Sequence, residues 1–231
     1  MRRKALKAAF PHTFPVMAGY LFLGIGFGIL LESKGFAFPW AILMSIIIYA
    51  GSMQYVAIDL LAGGASLIST AIMTVMIQIR HLFYGLSLID KYRDAGKKKF
   101  ILIHELTDET YSLICSCDPP KGVDKNMFYL SISMLDHLYW IIGCTVGSIF
   151  GSLVELNTKG IDFVMTALFV VIFTDQWLNA QDRLPAVIGL ICSVACLLLF
   201  GPGNFIIPAM ISILAVLTVL RGSLERRSER I

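Results

Sequence analysis

The sequence predicts an all-α integral membrane protein of about seven to eight hydrophobic helical segments, and its composition carries that prediction. Of the 231 residues, 57% are hydrophobic and only 15% are charged, whereas roughly 25% are charged in an ordinary soluble domain. The mean hydropathy of +0.76 implies more apolar surface than a globule of this size can remove from water. The lipid bilayer is therefore the expected solvent, and the whole chain, 1–231, is expected to form one membrane domain.

Uninterrupted apolar runs give the positions of the segments, because a helix needs about 17 to 25 apolar residues to cross a bilayer. An eighth run, 101–117, is interrupted by His104, Glu105, Asp108 and Glu109 and is predicted to be a short amphipathic or half-inserted helix buried against protein. The last two runs flank Gly201 to Asn204, which predicts a helical hairpin. The seven clear runs are 13–31, 39–61, 65–89, 127–151, 161–178, 184–200 and 204–221.

The basic residues are concentrated in 2–7, 91–99 and 221–230. The positive-inside rule then predicts that both termini are cytoplasmic, which requires an even number of crossings. Three crossings before Lys91 would place the second cluster outside, so either one early segment is re-entrant or this loop breaks the rule.

Charge and cysteine content exclude two other classes of protein. The net charge is only +3 and is confined to these clusters, whereas a nucleic-acid-binding surface needs a basic stripe. The five cysteines are odd in number, lie mostly in apolar runs and predict neither a disulfide framework nor a metal site.

The segment most expected to be irregular is 39–61, since Tyr49-Ala-Gly-Ser-Met-Gln-Tyr55, with its glycine and polar side chains, lies in the middle of it.

An internal repeat is also visible: Gly24 to Glu32 aligns with Gly147 to Glu155. The repeat predicts two related halves, about 13–117 and 127–221. Secondary transporters are commonly built in this way, with the substrate near the middle of the membrane where discontinuous helices of the two halves meet.

Small residues at helical spacing predict close helix packing. Gly24 and Gly28 are four residues apart, as are Gly147 and Gly151, and each pair makes a smooth stripe that another helix can approach.

The predicted segment 39–61 contains residues with polar groups that need partners, namely Gly51, Ser52 and Gln54. Polar groups inside a lipid-buried segment cost several kcal/mol when they are unpaired. They form either an interhelical hydrogen bond or a substrate or ion site, and the site is the favoured interpretation, with Met53 and Tyr55 beside it.

Charged residues inside the predicted segments are the other candidate site residues. Arg80 lies about 14 Å from the end of its segment at 1.5 Å per residue, so it needs an acidic partner or an anionic ligand. Tyr84 shares its face and His81 is adjacent. Asp108 and Glu109, after a possible capping Thr107, are candidates to pair with Arg80 or to carry protons. Asp136-His137 and Asp175-Gln176 are weaker candidates for the same roles, and an interfacial position is the favoured interpretation of each.

Catalysis is the alternative class. His104-Glu-Leu-Thr-Asp108 approaches the zinc motif H-E-x-x-H, but Asp108 stands where the second histidine belongs. An intramembrane hydrolase using His104, Glu105 and Asp108 therefore remains open, as does a membrane scaffold that does not itself transport. No metal or other cofactor is expected.

Five strings occur in an order that resembles the AzlC family of branched-chain amino acid transport proteins. They are Pro15-Val-x-x-Gly, Gly24-x-Gly-Phe-Gly28, Tyr49-Ala-Gly-Ser-Met-Gln-Tyr55, Arg80-His-Leu-Phe-Tyr-Gly-Leu-Ser87 and Leu106-Thr-Asp-Glu-Thr-Tyr111. The resemblance implies the large subunit of a bacterial plasma-membrane exporter that works with a small AzlD-type membrane subunit. It also implies export of valine, leucine, isoleucine and methionine, driven by the proton gradient, without a covalent step.

On this interpretation the expected substrate-binding residues are Gly51, Ser52, Met53, Gln54, Tyr55, Arg80 and Tyr84. The expected proton-coupling residues are His81, Asp108 and Glu109.

Overall fold

The structure is a computed structural model that describes residues 2–153, 184–201 and 205–228, with scattered residues between 163 and 183. The described residues form helices, turns and connecting segments without any strand, so the predicted all-helical class is confirmed. Two compact units divide the chain, residues 1–165 and 166–231. The helices are α1 (Arg2–Ser33), α2 (Phe38–Ile47), α3 (Gly51–Ala62), α4 (Leu67–Ser87), α5 (Lys98–His104), α6 (Asp108–Ser116), α7 (Lys125–Leu153), α8 (Leu184–Phe200) and α9 (Ile206–Ser228).

Three of the described helices are long and apolar enough to cross a membrane: Arg3–Ser33, Leu67–Ser87 and Lys125–Leu153. Shorter apolar stretches occur at Phe38–Ile47, Leu184–Phe200 and Ile211–Gly222. The predicted segment 161–178 lies mostly outside the described residues. The count of seven to eight segments, the internal repeat, the two halves and the cytoplasmic termini all stay predictions.

Helix α1 is longer than the predicted 13–31, because it begins at Arg2. Its first turns contain Ala, Leu and Lys, which are strong helix formers, and they bury Ala5 and Ala9 while Lys4 and Lys7 stay exposed. An apolar run could not show this beginning, since basic residues on the exposed face interrupt the run.

The helix pair α1 and α7 forms the centre of the first unit, and glycines line the contact between the two helices. A Cβ atom added to Gly24 would lie 2.8 Å from the amide nitrogen of Cys144, and one added to Gly28 would overlap the Cys144 carbonyl oxygen. Gly147 faces the backbone of Ile25 in the same way, and Gly151 faces Ile29 and Glu32. Such close backbone approach needs residues without side chains.

Two clusters of buried side chains surround this pair. One joins α1, α2, α3 and α7 through Phe27, Met44, Tyr49, Ile58 and Trp140. The other joins the beginning of α1 and of α7 to α5, α6 and the preceding loop. Lys91 of that loop donates to the carbonyl oxygen of Ile114 at the carboxyl end of α6, where the helix dipole favours a cation. The predicted segment 101–117 is thus two short helices, α5 and α6, packed on α7.

In the second unit, α8 and α9 pack against each other, as expected for a helical hairpin. Helix α8 ends where Gly201 adopts φ +72°, a backbone conformation that suits glycine. The Sγ atom of Cys196 lies 3.6 Å from the hydroxyl oxygen of Ser212 across the pair. The connecting residues 202–204 lie outside the described part of the chain.

The contact between α1 and α7 can be tested with one alanine at the contact and one outside it. We expect Gly28→Ala to lower stability by about 1 to 3 kcal/mol, because the new methyl group meets backbone atoms that cannot move independently. Gly19→Ala is the matched control on the same helix, since no atom lies within 4 Å of a Cβ there, and alanine favours helix by up to about 1 kcal/mol.

Thermal unfolding of the purified protein in detergent should rank Gly28→Ala below the unsubstituted chain and Gly19→Ala at or above it. Equal melting temperatures for the two variants would contradict the close approach of the helices.

Candidate functional site

The predicted irregular segment is interrupted by a helix break, which we define as residues Ile48 to Ala50. Helix α2 ends at Ile47 and α3 begins at Gly51. Tyr49 has φ +36°, the only non-glycine residue with positive φ in the described chain, a conformation that costs about 1 to 3 kcal/mol. Tyr49 and Ala50 are nevertheless buried, with exposed fractions of 3% and 4%, so surrounding contacts must hold the break in place.

The amino end of α3 emerges from this break without a side-chain cap. The first amide groups of a helix have no acceptor within it, so those of Gly51, Ser52 and Met53 can bind an anionic group, supported by the helix dipole. Such an end is suited to a carboxylate.

Gln54, in the first turn of α3, is fully buried. Its Oε1 accepts a hydrogen bond from the indole nitrogen of Trp140 at 2.7 Å. The indole N–H can only donate, which fixes the orientation of the amide and directs the Nε2 group elsewhere. Among the residues that the structure describes, that Nε2 atom has no hydrogen-bond partner. Trp140 also lies against Gly51, where a Cβ would come within 3.2 Å of the ring.

The other two predicted residues of α3 face different surroundings. Met53 is part of the buried cluster around α1 and α7. The Tyr55 hydroxyl donates to the Leu23 carbonyl oxygen at 2.8 Å, and its ring packs edge-on against Phe27. Tyr55 thus attaches α3 to α1.

Arg80 joins α4 to the amino end of α3 and to α6. Its Nη2 atom donates to the Ser52 hydroxyl at 2.8 Å and lies 3.2 Å from Asp108 Oδ2. Both members of this ion pair are half-buried, with exposed side-chain fractions of 32% and 23%. The sequence predicted that Arg80 needs an acidic partner or an anionic ligand, and the structure provides Asp108 as a partner.

Aromatic rings and one histidine surround this ion pair. Tyr84 stacks on Tyr111 of α6 at 4.4 Å between ring centroids and lies within electrostatic reach of Asp108. His81 Nδ1 lies 3.3 Å from the Gln78 carbonyl oxygen, and its ring is edge-on to Tyr84. No described hydrogen bond joins His81 to Asp108 or Glu109.

Glu109 lies in the first turn of α6, which Thr107 caps by accepting from the Thr110 amide. The Tyr20 hydroxyl of α1 donates to Glu109 Oε2 at 2.8 Å and lies 2.6 Å from the Thr107 hydroxyl. Burial raises the pKa of the Glu109 carboxyl, against the opposing effect of the hydrogen bond from Tyr20. A carboxyl with a raised pKa binds a proton nearer to neutral pH than an exposed one does.

Asp136 and His137 are buried inside the protein, where the favoured interpretation from the sequence placed them at the interface of the membrane. Asp136 is fully buried and accepts from the Thr110 hydroxyl at 2.9 Å. His137, with an exposed fraction of 8%, lies 2.7 Å from Glu105 Oε2 and 3.0 Å from the Ser45 carbonyl oxygen. The signal was available, because both residues lie about 14 Å inside the predicted segment at 1.5 Å per residue, as deep as Arg80. The similar pair Asp175-Gln176 lies outside the described residues.

The residues of the hydrolase alternative do not converge on one point. Asp108 pairs with Arg80, whereas Glu105 lies between His137 and His104, the latter at 3.1 Å. Among the residues that the structure describes, no group of three or more His, Cys, Asp and Glu is arranged to hold a metal ion.

Comparison with known proteins gives the family. The family model "AzlC protein" matches residues 15–154. The chain is 50% identical to "Branched-chain amino acid transport protein AzlC" of Bacillus subtilis over 96% of this chain and 87% of that protein. It is 40% identical to a membrane protein of Helicobacter pylori over 96% of this chain and 97% of that one.

A more distant relative is "Inner membrane protein YgaZ" of Escherichia coli, 27% identical over 68% of this chain and 67% of that protein. No solved structure matches the chain. The match to the family model over more than half of the chain, together with the Bacillus subtilis relative, shows that this protein belongs to the AzlC family.

Proposed function

We propose that this chain is the large subunit of a secondary active transporter that exports valine, leucine, isoleucine and methionine across the bacterial plasma membrane. The name of the Bacillus subtilis relative supports the substrate class. The observation that carries the mechanism is the helix break, with the uncapped amino end of α3 and the unpartnered Nε2 group of Gln54 beside it. Both termini are cytoplasmic, and a small AzlD-type membrane subunit completes the transporter.

The proposed substrate site binds the carboxylate of the amino acid at the amino end of α3. The amide groups of Gly51, Ser52 and Met53 and the Nε2 group of Gln54 are hydrogen-bond donors, which is what a carboxylate requires. Met53 and Trp140 offer apolar surface to the aliphatic side chain. Arg80 holds Ser52 through its guanidinium group and so connects this site to Asp108.

Protons supply the energy for export. A proton that enters down the membrane potential releases about 2.3 kcal/mol per 100 mV, which supports roughly a fortyfold substrate gradient at 1.4 kcal/mol per factor of ten. Of the two adjacent carboxyls, Asp108 and Glu109, we propose that Glu109 carries the proton. Burial favours its protonated form, whereas Asp108 is already engaged in the ion pair with Arg80.

The proposed function is tested by efflux of preloaded valine, leucine, isoleucine and methionine from cells that express this chain with and without its genomic neighbour. We expect efflux that requires both chains and stops when an uncoupler removes the proton gradient. If neither chain nor the pair exports any of the four, although both reach the membrane, the proposed substrate class is wrong.

The role of Arg80 is tested by Arg80→Lys, which keeps the charge but removes the planar guanidinium group. We expect export to fall by about tenfold or more, because the lysine side chain is one bond shorter and its ammonium group cannot reach the position from which Arg80 Nη2 contacts both Ser52 and Asp108. Arg93→Lys is the matched control, since Arg93 pairs with Asp90 on an exposed surface where such pairs contribute little. Equal export by both variants would exclude the bridging role.

The two carboxyls are distinguished by comparing gradient-driven export with substrate exchange in vesicles without a gradient. Glu109→Gln should abolish gradient-driven export but leave exchange largely intact, because a neutral amide cannot release a proton. Asp108→Asn should lower both rates, since it leaves Arg80 without its acidic partner. The exposed Asp90→Asn is the control. Normal pumping by Glu109→Gln would show that the proton is carried elsewhere.

A further inference from the structure

A continuous line of hydrogen bonds joins the carboxyl of Glu109 on α6 to the carboxyl of Asp136 on α7. It runs through three buried hydroxyl groups, which we call the hydroxyl relay, those of Tyr20, Thr107 and Thr110. We propose that the relay and the two carboxyls together hold one extra proton and pass it between Glu109 and Asp136. The role of this proton in export rests on the proposed function, because it extends the proposed proton site from Glu109 to Asp136.

Each contact along the line is a hydrogen bond by its distance. The Tyr20 hydroxyl lies 2.8 Å from Glu109 Oε2 and 2.6 Å from the Thr107 hydroxyl. The Thr107 hydroxyl lies 3.0 Å from that of Thr110, which lies 2.9 Å from Asp136 Oδ2. Asp136 is fully buried and Glu109 is half-buried. Glu109 is therefore the end at which a proton reaches the relay from water.

The hydrogens of three hydroxyl groups have to fill four contacts. While both carboxyls are ionised they can only accept, so Tyr20 donates to Glu109 and Thr110 donates to Asp136. Thr107 then has one hydrogen for its two remaining contacts, with Tyr20 and with Thr110. One of these contacts is left with two facing oxygen atoms and no hydrogen between them. The geometry therefore requires one further proton.

A proton on either carboxyl completes the line. A protonated Glu109 donates to Tyr20, whose own hydrogen is then free for Thr107. A protonated Asp136 instead donates to Thr110, which donates to Thr107, and Thr107 donates to Tyr20. Passage between the two states breaks one O–H bond and forms another at each hydroxyl. One carboxyl loses a proton, the other gains it, and every hydroxyl stays neutral.

Charge explains why the extra proton is retained. Glu109 and Asp136 are within electrostatic reach of each other, so two ionised carboxyls would repel each other in a region poor in water. Burial also raises the pKa of the Glu109 carboxyl. Buried acidic groups in membrane transporters commonly belong to proton relays.

Charged groups at the Glu109 end connect the relay to the proposed substrate site. Arg80 and Asp108 are both within electrostatic reach of Glu109, and Arg80 donates to Ser52 at the amino end of α3. A substrate carboxylate at that end would thus act on the same charges as the proton on Glu109.

Titratable groups also surround the Asp136 end. The Tyr49 hydroxyl, at the helix break, is within electrostatic reach of Asp136 and of Tyr20. Glu105, where α5 ends, is within reach of Tyr49, and His137 follows Asp136 on α7. These groups affect the pH at which the proton binds, whereas the hydroxyl relay determines where it can go.

Substitutions that remove a single hydroxyl interrupt the relay. Tyr20→Phe removes one from its middle and keeps the ring. Tyr139→Phe is the matched control, since Tyr139 is as deeply buried and its hydroxyl lies 3.2 Å from the Thr13 hydroxyl, outside the relay. Thr110→Val interrupts the relay at a second position with a side chain of nearly the same shape, and Thr110→Ser restores a hydroxyl there.

The experiment is infrared spectroscopy of the full chain in lipid nanodiscs, which detects the C=O stretch of protonated carboxyl groups. At neutral pH the unsubstituted chain should show such a signal, and the double variant Glu109→Gln with Asp136→Asn should lack it. Absence of this signal from the unsubstituted chain overturns the proposal, and that result depends on no variant.

Passage of the proton is measured by rapid mixing with D2O at a pH where Asp136 is protonated, its signal being the one that is lost in Asp136→Asn. Replacement of this proton by a deuteron should slow by roughly tenfold or more in Tyr20→Phe and Thr110→Val, the factor that about 1.4 kcal/mol of added barrier gives. Tyr139→Phe should exchange at the unsubstituted rate, and Thr110→Ser should exchange faster than Thr110→Val. Equal rates in Tyr20→Phe and the unsubstituted chain would show that the proton takes another route.

Gradient-driven export gives a second readout. Tyr20→Phe should lower it by roughly tenfold or more, and by more than it lowers substrate exchange without a gradient, whereas Tyr139→Phe should export normally. The infrared measurements involve no amino acid, so failure of the efflux experiment leaves them unaffected. Efflux that succeeds while Tyr20→Phe exchanges its Asp136 proton normally would contradict the relay alone.

Discussion

The helix break between α2 and α3 is the constraint on which the rest of the first unit depends. Backbone groups freed by a break need partners in a region poor in water, and α7 supplies one for the Ser45 carbonyl group as well as side-chain contacts on both sides of the break. His137 binds the Ser45 carbonyl oxygen and stacks on Tyr49, and Trp140 lies against Gly51 and binds Gln54. His137 and Trp140 are three residues apart and thus on one face of α7. One face of α7 therefore contacts both sides of the helix break.

That face must be close to α1 as well, and the glycines make this possible. Because Gly24 and Gly28 let the backbones of α1 and α7 touch, Tyr20 on α1 reaches the Trp140 ring at 5.5 Å and Thr107 and Glu109 with its hydroxyl. A larger residue at the contact would move α7 away from α1. The glycines between α1 and α7 thus have a chemical consequence, since they set the distance at which α1 meets the acidic end of α6.

The sequence predicts the elements better than it predicts their partners. The break near Gly51, the cap at Thr107 and the need of Arg80 for an acid all follow from local rules about glycine, hydroxyl side chains and charge in a membrane. The pairs Gln54 with Trp140 and Glu105 with His137 join residues 86 and 32 positions apart, and no periodicity encodes which of several buried polar groups will meet. The early beginning of α1 was hidden for another reason, because its lysines point away from the buried alanines.

The balance of charge around the break connects the structure to proton coupling. Asp108 pairs with Arg80, whereas the neighbouring Glu109 is half-buried and Asp136 fully buried, the two within electrostatic reach of each other. The remaining carboxyls cannot all be ionised at low cost, since isolated buried charge is expensive. A proton or the ammonium group of an amino acid would each relieve this excess of negative charge. Both are cations, so in the proposed mechanism they compete for it, and a site that opens alternately to the two sides of the membrane would then exchange an inward-moving proton for an outward-moving substrate.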